Sequence, residues 1–252
     1  MERIQLMNIC IDNVSMEEVI AEVDFIINNN LKKYVVTPNV DHIVKLEKNE
    51  EFKKAYDEAG MVLVDGTPLM WISKWYRTPL KEKITGPRLT ETLIELAATR
   101  GYTVFFLGAA EGVAKKAEEL MKIKYKSLNT VGSYSPQYGF ENDKEEINKI
   151  VTLINEAKPD LLIAGMGSPK TEIFLNKHIH NMNIHIALSV GAAIDFMAGN
   201  VSRCPSWINK IGFEWLYRFF KEPKRMFKRY FIDDIKICKI ALKYKINRRN
   251  DL

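Results

Sequence analysis

Cysteine is scarce in this chain of 252 residues, and its three cysteines, Cys10, Cys204 and Cys238, form no C-x-x-C pair. Such spacing argues against a disulfide framework or a zinc ribbon and is typical of a reducing cytosol. The first residues contain no apolar signal-peptide segment, and no uninterrupted apolar run reaches the ~18 residues of a spanning helix. We therefore expect a cytoplasmic protein without a spanning helix.

Three signatures of nucleotide and metal chemistry are also missing. Gly108 and Gly112 are not followed by the Lys-Ser/Thr of a Walker sequence, which argues against a P-loop NTPase. No D-x-D occurs, so the usual metal anchor for a nucleotide-sugar diphosphate is absent. His178 and His180 have no Cys or carboxylate at a familiar ligand spacing. We expect neither a metal site nor a cofactor.

Charge is distributed unevenly along the chain. Residues 203–252 hold 14 Lys/Arg against five Asp/Glu, a net charge of +9, while the whole chain has only +5. The same segment carries ten of the 26 aromatic residues. We therefore divide the chain into a slightly acidic body, 1–202, and a basic aromatic appendage, 203–252, which suits an anionic partner.

Short apolar runs alternate with helical patterns through the body. The runs cover 34–36, 61–64, 103–107, 160–164 and 184–190. Continuous apolar runs are typical of parallel strands that helices cover on both faces, so the alternation predicts an α/β fold with a mostly parallel sheet. Capping-box spacing predicts a helix after Ser15, and Asn142 with Glu145 predicts the start of another. Residues 133–142 are predicted to be a loop.

Polar and glycine residues follow each predicted strand, where ligands bind in open α/β sheets. Asp65 follows 61–64 and can act as a general base or cap the next helix. Thr37 and Asn39 follow 34–36 and can bind substrate, although Asn39 can also cap a helix. Gly165 and Gly167 suit phosphate binding or a tight turn, because Lys170 replaces the last glycine of G-x-G-x-x-G.

The appendage has the pattern of basic amphipathic helices. After Pro223 we predict an apolar stripe that is opposed by lysines; its members are Phe231, Ile235, Cys238 and Leu242, with Lys236, Lys239 and Lys243 on the other side. This pattern favours an anionic membrane surface. Packing of the stripe on the body is the alternative, and nucleic acid is a less favoured reading of the same charges.

Six motifs, in this order along nearly the whole chain, resemble the WecG/TagA/CpsF glycosyltransferases (glycosyltransferase family 26). They are Thr37-Pro38-Asn39, Val64-Asp65-Gly66, Ile84-Thr85-Gly86-Pro87, the run from Gly165 to Glu172, the run from Ser189 to Gly199, and the run from Gly212 to Arg218. The resemblance implies a Rossmann-like α/β body with helices on both faces of the sheet. It also implies a helical C-terminal appendage that completes the active site and contacts the membrane.

The resemblance further implies an inverting transferase at the cytoplasmic face of the membrane, and the missing D-x-D predicts that it works without a metal ion. Such enzymes move a sugar from a UDP-sugar to a polyprenyl-diphosphate-linked sugar. N-acetylmannosamine and an acceptor GlcNAc, in wall teichoic acid synthesis, are the best match. Other members use a hexose or a uronic acid for surface polysaccharides.

Individual residues then take roles from the resemblance. Asp65 matches the proposed general base, and Thr37 and Asn39 match a polar pair of the active site. The remaining expected substrate contacts are Lys83, Arg88, Gly108, Gly165, Gly167, Lys170, Thr171, Arg218, Arg225 and Arg229, the last three for a diphosphate. Lys83 replaces an Arg of close relatives, which keeps the charge but loses the bidentate fork.

Two positions differ from the common family pattern. Thr171 stands where many members have Gln, and Arg88 stands where many have Asp. Both differences bear on the donor sugar more than on the reaction. A nucleotide-dependent dehydrogenase and a non-catalytic, membrane-recruited nucleotide-binding module remain as alternative functions, and a homo-oligomer is left open.

Overall fold

A six-stranded parallel sheet forms the centre of the molecule, with the strand order β4-β3-β8-β7-β5-β6. The computed structural model describes residues 2–200 and 236–250. The sheet strands are β3 (Lys33–Val36), β4 (Met61–Val62), β5 (Thr103–Gly108), β6 (Asn129–Tyr134), β7 (Leu161–Gly165) and β8 (Ile186–Ser189). An antiparallel hairpin of β1 (Arg3–Leu6) and β2 (Ile9–Asp12) precedes them.

Helices cover both faces of this sheet. The helices of the described ranges are α1 (Met16–Asn28), α2 (Val40–Leu46), α3 (Glu50–Asp57), α4 (Thr67–Trp75), α5 (Gly86–Arg100), α6 (Val113–Lys124), α7 (Lys144–Ala157), α8 (Lys170–His178), α9 (Ala193–Met197) and α10 (Lys236–Asn250). One core joins the sheet to α2, α3, α4, α7, α8 and α10, and a second joins its other face to α1, α5, α6 and α9. The predicted Rossmann-like α/β fold is confirmed.

Side chains of each strand alternate between these two cores. Tyr34 and Val36 lie in the first core and Val35 lies in the second, and all three are at most 3% exposed. Because both faces are covered, the strand reads as one continuous apolar run. The five predicted runs therefore coincide with β3, β4, β5, β7 and β8.

One strand and one helix start differ from the prediction. β6 is a half-buried strand at the edge of the sheet, so it lacks an apolar run, and its last two residues overlap the predicted 133–142 loop. Asp143 rather than Asn142 caps α7, because its carboxylate accepts from the Glu145 and Glu146 amides. The capping box at Ser15 is confirmed by both of its reciprocal hydrogen bonds.

The α10 helix packs on the body, but not through the predicted stripe. Ile237, Ile240 and Ala241 are its buried residues, whereas Cys238 and Leu242 are exposed. The true buried stripe is thus displaced by one residue from the predicted one. Phe231 and Ile235 of that stripe, Arg218, Arg225 and Arg229, and the proposed boundary after residue 202 lie outside the described residues.

Candidate active site

The carboxyl ends of the central strands are aligned at one edge of the sheet. Ser189 at the end of β8 pairs with Val36 of β3 on one side and with Ala164 of β7 on the other. Gly108 of β5 pairs with Gly165 of β7. This register brings the segments after β3, β4, β5, β7 and β8 together, as the sequence predicted.

Asp65 lies at this edge, beyond the end of β4. Its amide donates to the Pro38 carbonyl at 2.9 Å, which continues the pairing of the two chain segments past the strands. Its Oδ2 accepts from the Gly86 amide at 3.2 Å, at the first residue of α5. A helix N-terminus stabilises a carboxylate, so this position suits the Asp65 side chain.

Lys83 is brought close to Asp65 by the same segment. The Ile84 amide donates to the Val64 carbonyl at 2.9 Å, and Lys83 Nζ lies 3.5 Å from Thr67 Oγ1. Lys83 is half-buried. A cation next to the loop that carries Asp65 can stabilise negative charge that develops on a leaving phosphate.

Thr37 and Asn39 use part of their hydrogen-bonding capacity within the protein. Thr37 is 6% exposed, and its hydroxyl donates to the Ser189 carbonyl at 3.3 Å. Asn39 Oδ1 caps α2 by accepting from the His42 amide at 3.3 Å, so the capping alternative is correct for this atom. Its side-chain NH2 can still donate to a substrate oxygen.

The glycines at the strand ends serve different purposes. A Cβ at Gly108 would lie 2.5 Å from the Gly165 carbonyl, and a Cβ at Gly165 would lie 2.6 Å from the Gly191 carbonyl oxygen. These glycines therefore permit close packing of three strand ends. Gly167 has a φ of +89° and open space where a Cβ would be, so a diphosphate can approach its backbone.

The β7–α8 loop around Gly167 is closed by Thr171. This residue is 1% exposed, and its hydroxyl bonds to the Met166 amide at 2.9 Å and to the Gly167 carbonyl at 3.3 Å. Its described contacts therefore shape the loop. Lys170, at the start of α8, pairs with Glu141 at 2.5 Å and lies over the Tyr138 ring, so its charge is shared with the loop before α7.

Arg88 lies on the outer side of α5. Its exposed guanidinium pairs with Glu82 at 2.5 Å. Glu82 also accepts from the Met16 amide at the start of α1, at 2.7 Å. The described contacts of Arg88 thus join it to α1 rather than to Asp65.

Sequence reasoning missed a buried carboxyl behind the β7–α8 loop. Glu172 is 2% exposed, and its Oε2 is buried without a hydrogen-bond partner among the described residues. Burial raises the pKa of the Glu172 carboxyl to about 7, and the Ser189 hydroxyl and Lys45 ammonium only partly offset that rise. A glutamate in the first turn of a helix gives no sequence signal for such burial.

A histidine–tyrosine pair lies beside the same loop. His42 Nδ1 and the Tyr56 hydroxyl are 2.7 Å apart, and burial raises the pKa of Tyr56 well above its ordinary value, with Glu172 and Asp65 adding to the rise. Tyr56 therefore stays protonated, and its hydrogen bond with His42 links the start of α2 to α3. Asp41, next to His42 in the chain, forms an ion pair with Lys45 one turn further along α2, at 2.7 Å.

This geometry can be compared with known proteins. The model of the glycosyl transferase WecG/TagA/CpsF family matches residues 4–251, which is nearly the whole chain. The chain belongs to this family. The resemblance of the six motifs is therefore confirmed.

Two curated relatives of this glycosyltransferase illustrate the similarity. A Bacillus spizizenii protein is 29% identical over 199 residues, which are 79% of this chain and 75% of the relative. A Staphylococcus aureus protein is 26% identical over 228 residues, 89% of this chain and 87% of the relative. Both are named N-acetylglucosaminyldiphosphoundecaprenol N-acetyl-beta-D-mannosaminyltransferase.

The three lysines predicted to face a membrane have different surroundings in this family member. Lys243 pairs with Glu47 at 2.9 Å, so much of its charge is neutralised. Lys239 is exposed, and Lys236 is half-buried. Within residues 2–200 and 236–250, none of the helices has both the length and the apolar character that crossing a bilayer requires.

Proposed function

We propose that this family member transfers N-acetylmannosamine from UDP-N-acetylmannosamine to GlcNAc on undecaprenyl diphosphate, with inversion at the anomeric carbon. The position of Asp65 carries the proposal: its carboxylate is fixed at the carboxyl edge of the sheet, with Lys83 beside its loop. Family membership and the names of the two relatives support the reaction and the substrates. A role in teichoic acid synthesis, with the protein peripheral on the inner membrane face, follows from these substrates.

In the proposed reaction, an acceptor hydroxyl attacks the anomeric carbon from the face opposite UDP. Its proton passes to Asp65 as the new C–O bond forms, and the bond between the anomeric carbon and the UDP oxygen breaks with its electron pair on UDP. A single displacement inverts the configuration. The hydrogen bond from the Gly86 amide holds the carboxylate in one orientation for this transfer.

Negative charge develops on the departing UDP. We assign Lys83 and the open backbone at Gly167 to this diphosphate, since both lie at the same sheet edge as Asp65. Arg218, Arg225 and Arg229 remain predicted ligands of the donor or acceptor diphosphate. Fixed cations of this kind stabilise a leaving group without a metal ion.

Transfer of a labelled sugar onto a short-chain prenyl-diphosphate GlcNAc tests the proposal. The donors are UDP-N-acetylmannosamine, UDP-glucose, UDP-galactose and a UDP-linked uronic acid, and NMR assigns the product anomer. We expect inversion with N-acetylmannosamine and unchanged turnover in EDTA. A preferred hexose or uronic acid would overturn the donor, and no transfer from any donor would favour a non-catalytic nucleotide-binding module.

The role of Asp65 is tested by Asp65→Asn, with Asp57→Asn as the matched control. Asp57 is an exposed aspartate on α3 that pairs with Lys53. We expect Asp65→Asn to lower kcat by about 10²–10⁴-fold, as loss of a general base does, while a thermal shift with UDP stays unchanged. Near-normal turnover of Asp65→Asn would disprove the role.

A further inference from the structure

An apolar patch is exposed where α4 and α10 meet. We call Trp71, Trp75, Leu242 and Ile246 the α4–α10 patch; their exposed fractions are 64%, 47%, 52% and 49%. Isolated exposed apolar residues are ordinary, but two tryptophans with two aliphatic residues are not typical of a surface that faces only water.

Two contacts of Lys245 join α10 to α4 beside these four residues. Lys245 Nζ lies 3.6 Å from the centroid of the Trp75 ring and donates to the Trp75 carbonyl at 2.9 Å. Leu242 and Ile246 lie on the side of α10 that carries Lys245, because residues three or four apart share a helix face. By the same rule, Trp71 adjoins Trp75.

The opposite sides of both helices are fixed to the body. Ile237, Ile240 and Ala241 of α10 are at most 9% exposed, and Leu69 of α4 is fully buried. The Tyr76 hydroxyl donates to the Ala241 carbonyl, which ties the end of α4 to the middle of α10. The patch is therefore held facing outward on two anchored helices.

Basic side chains are exposed on or next to the same two helices. Lys74 and Arg77 are exposed at the end of α4, and Lys239 is exposed on α10. Lys243, by contrast, is paired with Glu47. Exposed aromatic and aliphatic residues on helices that also expose basic residues complement an anionic bilayer surface, where the rings enter the headgroup layer and the lysines reach the phosphates.

We propose that the α4–α10 patch is the surface that docks this protein on an anionic lipid bilayer, with Trp71 and Trp75 as the inserted side chains. The proposal rests on the proposed function in one respect, because a lipid-linked acceptor requires the protein to work at a membrane. It differs from the sequence prediction: tryptophans of the α/β body, rather than the lysine stripe of the appendage, make the main contact.

Vesicle co-sedimentation of the full-length chain tests the patch. The probes are vesicles of phosphatidylglycerol with phosphatidylcholine and vesicles of phosphatidylcholine alone. We expect Trp71→Ser/Trp75→Ser to reduce partitioning onto the anionic vesicles at least tenfold, and Leu242→Ser/Ile246→Ser to reduce it several-fold. Phe25→Ser and Ile123→Ser are matched controls, since both residues are more than half exposed, on α1 and α6 of the other sheet face. Both controls should bind like the wild type.

Each outcome decides the proposal. Unchanged vesicle binding by folded Trp71→Ser/Trp75→Ser would overturn it, and a changed oligomeric state with unchanged vesicle binding would assign the patch to a second copy instead. The double variant should keep wild-type turnover on a water-soluble acceptor while losing turnover on a vesicle-borne one. If the wild type binds vesicles but transfers no sugar, the proposed function fails and the docking surface stands.

Discussion

Replacing Glu172 by Gln is expected to change how the stability of the protein depends on pH. The Glu172 carboxyl is buried behind the β7–α8 loop, where one of its oxygens has no hydrogen-bond partner among the described residues. Burial favours the neutral carboxylic acid over the carboxylate. Gln has nearly the same shape and never ionises, so the substitution removes the charge without opening a cavity.

The magnitude follows from the pKa of this group. Burial raises the pKa of Glu172 from 4.5 to about 7 in the folded protein. Between these values the unfolded chain has lost the proton that the folded chain keeps, so the free energy of unfolding falls as pH rises. With about 1.4 kcal/mol for each pH unit, the wild type loses about 3 kcal/mol between pH 4.5 and 7.5 through this group, and Glu172→Gln loses none.

Urea unfolding of both proteins at pH 5, 6, 7 and 8 measures this difference. The stability of Glu172→Gln relative to the wild type should increase by about 3 kcal/mol over this range. Glu118→Gln is a control of opposite sign. Burial alone would raise the pKa of Glu118, but hydrogen bonds from Lys122, Ser133 and other donors lower it to about 2. Glu118→Gln should therefore destabilise the protein at neutral pH and lose that effect in acid.

Parallel stability curves for the wild type and Glu172→Gln would refute the reasoning. They would mean that Glu172 is already a carboxylate at pH 5, with its charge balanced by the nearby Lys45 ammonium. A Glu172→Gln variant that is less stable than the wild type at pH 8 would lead to the same conclusion.

Two further substitutions test how the sheet edge is built. Gly108→Ala should lower stability by more than ~3 kcal/mol in urea unfolding, because its Cβ would overlap the neighbouring strand end. The control Gly112→Ala, at a φ of +76° with open space around it, should lower stability by only about 1 kcal/mol. Equal losses of stability would contradict the packing role of Gly108. Arg88→Ala should leave the KM for the UDP-sugar unchanged. It should lower stability by no more than about 1 kcal/mol, because the ion pair of Arg88 with Glu82 lies on the surface. A KM raised more than about tenfold would place Arg88 in the donor site.

Local sequence was sufficient to predict the strands that are buried on both faces along their length. β3, β5, β7 and β8 are covered on both faces, so nearly all of their residues are apolar and the run is visible. β6 has a neighbour on one side only, and its six residues are exposed or half-buried, so no periodic pattern distinguishes it from a loop.

The sequence predicted the candidate site residues that follow strands, but it did not predict the residue whose properties depend on burial. Asp65, Thr37 and Asn39 follow strands, and topology alone brings them to one edge. Glu172 acquires its unusual pKa only because α8 packs against the sheet, and no pattern within α8 indicates that contact. The one-residue displacement of the α10 stripe has a similar cause, since the body decides which face of a helix with many apolar residues becomes buried.

Helix α4 connects the proposed general base, Asp65, to the two tryptophans of the proposed docking surface. This helix begins at Thr67, two residues after Asp65, and rises about 1.5 Å per residue, so Trp71 lies about 6 Å and Trp75 about 12 Å along it from its start. A headgroup layer is about 5–8 Å thick, given a hydrocarbon core of ~30 Å in a bilayer of ~40–45 Å. With both tryptophans in that layer, α4 holds Asp65, two residues before its start, near the bilayer surface. An acceptor sugar joined to its lipid by a diphosphate occupies that same level, so membrane docking through α4 would bring the acceptor hydroxyl to the base without lifting the lipid out of the bilayer.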